Sequence, residues 1–304
     1  MTGVEIVVVD NSGEKKASRI EAVRVIENKT NVGFGAAVNQ GIRSSQSPFI
    51  AVLNDDAVAH PEWLERMVAV AESRYEIGMC APQIRLLDGD RHGQLDSAGM
   101  LIARDASSKQ KGHGEPVASY ARPQQALLPS GCAALYRRDM LDEIGLFDES
   151  FFLYCEDTDL GLRGRWKLWE CMYVPGAVVE HRYSHSAGGA SALKAFYVER
   201  NRVFVAIKNF PLPDLALVPV FTLVRFFWHL VYLRKGEGKA AEYRTSGNPS
   251  LAIIALQAWA AVIREIPRLM RERWKIQRHG RMTPKQFSKL LASFRISERQ
   301  VAQL

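Results

Sequence analysis

Apolar residues gather in short runs at 4–9, 23–26, 49–53 and 77–81, interrupted only by Glu5 in the first and Arg24 in the second. Each run is bounded by Gly, Pro, Asn, Asp or Ser, which is the pattern of a strand buried on both faces. Between the runs lie segments of helical period, Ala36 to Ser44 and Pro61 to Ser73. This alternation predicts an α/β fold: a mostly parallel sheet with helices on both faces. Two further strands are expected at Ala133 to Tyr136 and Met172 to Val174. From about residue 194 the pattern turns helical throughout. Leu215 to Leu233 is apolar except for Thr222, Arg225 and His229, and Leu251 to Ile263 is apolar around Gln257. The chain therefore divides into an α/β part, residues 1–193, and a helical part, residues 194–304.

Several apolar runs end in carboxylates. The first leads into Asp10-Asn11-Ser12, and the third into Asn54-Asp55-Asp56. Ligands of open α/β sheets sit at the carboxyl ends of strands, and oxygen donors there suit a hard divalent cation such as Mg2+ or Mn2+ better than zinc. An Asx turn capping the helix at Pro61 is the plainer alternative. Glu156-Asp157-Thr158-Asp159 follows an aromatic and aliphatic stretch. A carboxylate against such a wall gains proton affinity, which suits a general base; a helix N-terminus would also attract these anions. Gly33-Phe34-Gly35 opens a helix of small residues, whose first amides could approach a phosphate or sugar. It is not a dinucleotide fingerprint.

The order of these pieces carries a resemblance. Val8-Val9-Asp10-Asn11 is followed by Asn31-Val32-Gly33-Phe34-Gly35 with Asn39 and Gly41, then Leu53-Asn54-Asp55-Asp56 and Ser130-Gly131-Cys132. Gly145-Leu146-Phe147-Asp148-Glu149, Glu156-Asp157-Thr158-Asp159-Leu160 and Val174-Pro175-Gly176 through His181 complete the series. The sequence resembles the family 2 glycosyltransferases of GT-A fold, in particular the rhamnosyltransferase-like branch of bacterial cell-surface polysaccharide synthesis. The resemblance runs from residue 4 to about 210.

The resemblance implies an inverting, metal-dependent transfer of a sugar, with rhamnose as the family-level expectation, from a nucleoside diphosphate donor to a saccharide or lipid-linked saccharide acceptor. Asp157 would be the catalytic base. Asp10, Asn11, Gly33, Asn39, Asn54, Asp55 and Asp56 would serve the donor, and Gly131 and Glu156 the acceptor side. Asp56 and His181 would hold Mg2+ or Mn2+. Relatives begin with a further strand ahead of the one holding Asp10, so the chain reads as N-terminally shortened. That keeps a second reading in view: a sugar-nucleotide-binding or scaffold protein without turnover. A nucleotidyltransferase also uses paired carboxylates and a metal, but the Glu156-Asp157 and His181 motifs belong to glycosyl transfer.

Composition adds a partner. The net charge of +7 hides a balance of −6 over residues 1–193 and +13 over residues 194–304. Basic residues flanking apolar helices with Trp228, Trp259 and Trp274 suit an anionic membrane surface. The peripheral position expected is the cytoplasmic face of the cell membrane; self-association through the same helices is the alternative. No nucleic-acid recognition motif is present. The four cysteines, Cys80, Cys132, Cys155 and Cys171, form no Cys-x-x-Cys pair and read as reduced thiols. No basic-then-apolar leader follows Met1. Residues 104–125 are polar and are expected to form a mobile loop.

Overall fold

A computed structural model describes residues 3–20, 23–88, 92–182, 191–238, 243 and 250–303. The α/β part begins with β1 (Val7–Asp10) and β2 (Arg24–Glu27), then α1 (Phe34–Arg43), β3 (Phe49–Leu53), β4 (Ala57–Ala59) and α2 (Trp63–Ser73). The long β5 (Ile77–Leu86) is followed by the short β6 (Leu95–Ser97), β7 (Met100–Ile102), β8 (Ser108–Gln110) and β9 (Gln124–Ala126). Next come β10 (Ala133–Arg137), α3 (Arg138–Ile144), α4 (Glu156–Trp166) and β11 (Glu170–His181). The helical part is α5 (Ala192–Asn209), α6 (Leu212–Lys235), α7 (Leu251–Arg278), α8 (Pro284–Ser293) and α9 (Glu298–Gln303).

The fold class agrees with the sequence pattern, but the strand directions are mixed rather than mostly parallel. Among the described residues the main sheet runs β3-β10-β5-β11-β4, with β6 on β5 and β9 on β11. Only β5 and β11 pair in parallel within it; β1 and β2 form a separate parallel pair. The reason is β10. It inserts antiparallel between β3 and β5, so β3 and β5 share a direction without pairing. An apolar run alone cannot reveal such an insertion, because a buried strand reads alike in either direction.

Register sets the site. Leu53 pairs with Ala133 at the end of β3, and Ala57 pairs with His181 at the end of β11. Only Asn54, Asp55 and Asp56 separate Leu53 from Ala57, so this turn draws the β10 and β11 ends together. Ile84, Cys132, Ala133 and Val179 pack as a buried cluster beneath it.

The largest core cluster runs through Leu160, Leu162 and Trp166 of α4, Val203 and Phe204 of α5, and Val262 and Leu269 of α7. The hydrophobic core thus continues across residue 193. Residues 104–125 are folded, contrary to the expectation of a mobile loop. β7 and β8 pair as a hairpin, and Asp105 at its turn is fully buried against Arg202 and Arg225. The charge of Asp105 in this segment answers distant ionic partners rather than solvent.

Candidate active site

The segment Phe152–Cys155 enters α4 through a strained approach. Phe152, Tyr154 and Cys155 all have positive φ, at 63°, 69° and 67°. Bulky residues hold that region only when their surroundings impose it, at about 1–3 kcal/mol each. The surroundings are α5 side chains. Asn201 donates to the carbonyls of Phe151, Leu153 and Tyr154 at 2.8–2.9 Å, and Arg200 donates to those of Ser150 and Phe151.

Glu156 and Asp157 open the helix. Asp157 is partly exposed, and its Oδ2 accepts the Gly131 amide at 2.8 Å. Its Oδ1 accepts the Thr158 amide at 2.6 Å. Burial raises its pKa, against the opposing effect of the Gly131 and Thr158 amides. Glu156 is deeply buried, and its Oε2 has no hydrogen-bond partner. Burial, reinforced by the charge of Asp157, pushes Glu156 up to about 8. Two adjacent carboxyls under one low-dielectric wall do not both ionise easily. Near neutral pH Glu156 favours its protonated form, so the pair does not carry two full charges.

The next residue links this segment to the second acidic motif. Gly131 holds Asp157, and the Cys132 carbonyl accepts the Asn54 amide at 2.9 Å. A Cβ at Gly131 would stand 3.3 Å from Asp157 Oδ2 and crowd that contact. On its other side the Asn54–Asp56 turn is fixed by the Arg182 amide, which donates to the Asp56 carbonyl at 2.9 Å. His181 Nε2 lies 3.4 Å from Asp56 Oδ1, and Asp55 is exposed at the turn. The expected grouping of Asp56, Asp157 and His181 around one sheet end is therefore present.

Asp96 was missed by sequence reasoning. It is buried in β6, and its Oδ2 lies 2.8 Å from His181 Nδ1, while its Oδ1 lies 2.9 Å from His113 Nδ1. Burial pulls the His181 pKa down, but the hydrogen bond and charge of Asp96, with the charge of Asp56, outweigh it and raise the net value. The carboxylate also orients the ring, leaving Nε2 toward Asp56, a usual arrangement behind an imidazole ligand. The only sequence signal was a carboxylate within an apolar stretch, Leu95-Asp96-Ser97-Ala98.

Other expected donor residues are engaged within the protein. Asn39 is buried, donates to the Phe147 carbonyl and to Glu149, and accepts the Phe147 amide. Its expected donor contact is replaced by a bolt between α1 and the segment before Asp157. Gly33 has φ +92°, and a Cβ there would come within 2.6 Å of the Phe152 carbonyl oxygen. The Phe34 amide donates to that same oxygen at 2.7 Å, and the Gly33 amide donates to Asn31. The opening of α1 thus packs on Phe152, and the Gly33 and Phe34 amides are spent within the protein. Asn11 accepts the Val32 amide and donates to Asn31, latching the loop before α1. Asp10 accepts from the Ala17 amide and from the amide and hydroxyl of Ser12; these bonds lower its pKa.

Among the described residues, no group of three or more His, Cys, Asp or Glu side chains is arranged to hold a metal. Asp56 and His181 nevertheless fit as a pair. They supply one oxygen and one imidazole nitrogen on converging atoms, and Mg2+ or Mn2+ commonly binds through one or two protein groups plus substrate phosphates.

Comparison with known proteins bears on family and fold. Residues 2–145 match the family described as Glycosyl transferase family 2. The N-acetylglucosaminyl-diphospho-decaprenol L-rhamnosyltransferase of Mycobacterium tuberculosis is 30% identical over 200 residues in each of two strains. The match covers 59% of this chain and 65% of that protein, so the chain spans just under two thirds of the length of these relatives. An uncharacterized protein of Sinorhizobium fredii is 27% identical over 60% of this chain and 22% of its own length. Among solved structures, GalNAc-T7 with UDP, GalNAc and Mn2+ has the same fold, with a TM-score of 0.57 and 16% identity over 72% of this chain and 44% of that one. Residues 2–145 thus resemble glycosyl transferase family 2, the sequence is similar to that of a rhamnosyltransferase, and the fold is shared with GalNAc-T7.

Proposed function

We propose that this protein is an inverting, divalent-cation-dependent glycosyltransferase. In this reading it moves a sugar, rhamnose by likeness to the mycobacterial relative, from a nucleoside diphosphate to a hydroxyl of a lipid-linked saccharide at the inner face of the membrane. The printed name of that relative describes such an acceptor, and the GalNAc-T7 structure contains a nucleoside diphosphate, a sugar and Mn2+. The observation that carries the reading is the Gly131-Cys132 clamp, which ties Asp157 to the Asn54–Asp56 turn facing His181.

The residues divide the chemistry. Asp157 takes the proton of the acceptor hydroxyl as its oxygen attacks the anomeric carbon, and the bond from that carbon to the diphosphate oxygen breaks. One displacement inverts the centre, so one base suffices and no enzyme nucleophile is needed. Neutral Glu156 leaves Asp157 as the ionised partner. Asp56 and His181 would hold the cation, which when bound supplies positive charge to the leaving diphosphate. Asp96 holds the imidazole for that task.

The test is product identity. The protein is incubated with Mn2+, a panel of nucleoside diphosphate sugars and a lipid-linked N-acetylglucosamine acceptor. Transfer with release of one nucleoside diphosphate per bond formed, abolished by chelator, is expected. Release of pyrophosphate would indicate nucleotidyl transfer instead, and donor binding without turnover would favour the scaffold reading.

A further inference from the structure

Helix α6 is turned the wrong way round for water. Among its described residues, every exposed side chain from Leu212 to Leu230 is apolar, including Leu217, Val220, Leu223, Val224 and Phe227. Leu223 is 68% exposed and Phe227 58%. Its polar residues face inward. Thr222 accepts from Arg202, and Arg225 is paired with Asp105 and Glu199. A surface helix in water shows the opposite arrangement.

By length and composition α6 could cross a bilayer. The buried ion pairs argue against that. Arg225, near mid-helix, is tied to Asp105 of the β7–β8 turn and to Glu199 of α5, so the middle of the helix is fastened to the protein. Leaving that position would make the two buried carboxylates share the charge of Arg202.

Cations bracket the apolar face. Arg234 and Lys235 are exposed at its C-terminal end. Toward the other end, exposed Arg104 and Arg295 line a cavity of about 200 Å3 with Leu217 and Asp214. Arg104 also lies over the Phe221 ring, 4.6 Å from its centroid. Helix α7 adds an exposed stripe of Ile253, Leu256, Ile263, Met270 and Trp274 beside Arg264 and Arg271. No exposed carboxylate lies on α6 itself, so a second copy placed face to face there would bring like charges together.

We infer that α6 lies in the plane of an anionic bilayer, its outer face seated among the acyl chains and its flanking arginines and lysine at the headgroups, without crossing. Apolar area and basic charge both contribute to such seating. The full chain would be floated with phosphatidylcholine vesicles, with and without phosphatidylglycerol, and the bound fraction washed in alkaline carbonate. Binding is scored without turnover, so the result stands apart from the transfer reading. Wild type should float with the anionic vesicles and be released by the wash. The double variant Leu223→Glu, Phe227→Glu should keep its melting temperature and partition about tenfold more weakly or worse, having lost two large apolar contacts and gained two repelled charges. Resistance of wild type to the wash would overturn the in-plane placement. Failure of wild type to float, or a dimer that the double variant dissociates, would overturn the lipid assignment.

Discussion

Two carboxylate clusters behave in opposite ways. In one, Asp105 and Glu199 are matched by Arg202 and Arg225. Burial works against both carboxylates, yet the guanidinium charges prevail, lowering Asp105 and bringing Glu199 down to about 2. In the other, Glu156 and Asp157 have backbone amides nearby and each other, and burial raises both. A balanced cluster fixes geometry and has no proton to exchange near neutral pH. An unbalanced one holds a carboxylate at raised proton affinity, which is the condition a general base requires. Local composition does not separate them; the partner cations do.

The contrast can be broken from either side. Replacing Arg225 with Ala should leave Asp105 and Glu199 short of charge and cost about 3–5 kcal/mol of stability in denaturant unfolding. Transfer per folded molecule should stay within a few-fold. Loss of transfer at unchanged stability would show that the balanced cluster is chemical after all. Replacing Glu156 with Gln tests the other side through pH. A carboxyl whose folded pKa is raised takes up a proton on folding. Its stabilisation is therefore full below the ordinary value of 4.5 and disappears as pH rises through about 8. Wild type should lose stability over that window, on the order of a few kcal/mol, and Glu156→Gln should show a flatter profile. Parallel profiles for the two proteins would mean that Glu156 ionises normally.

Much of the fold was legible because buried strands announce themselves as apolar runs. The run at 49–53 coincides with β3. The acidic motifs were legible because they stand at the ends of such runs. What escaped notice depended on partners far along the chain. Asn39 reads as a donor residue until Phe147, 108 positions on, takes its amide. Asp96 has no motif of its own and becomes informative only when strand pairing carries His181 to it, 85 positions away. Residues 104–125 looked like a loop because the charges that bury Asp105 come from α5 and α6. Arg225 looked like a flaw in a membrane segment, whereas it is the fastening that keeps α6 on the protein.

The central claim is that Asp157 is the base, and Asp157→Asn examines it most directly. The amide is nearly isosteric, so donor affinity measured by calorimetry should change little. Transfer should fall roughly a hundred- to ten-thousandfold. In wild type, the acid limb of the rate profile should lie above the ordinary aspartate range, because the Asp157 pKa is raised. Turnover by Asp157→Asn at the wild-type rate would contradict the account.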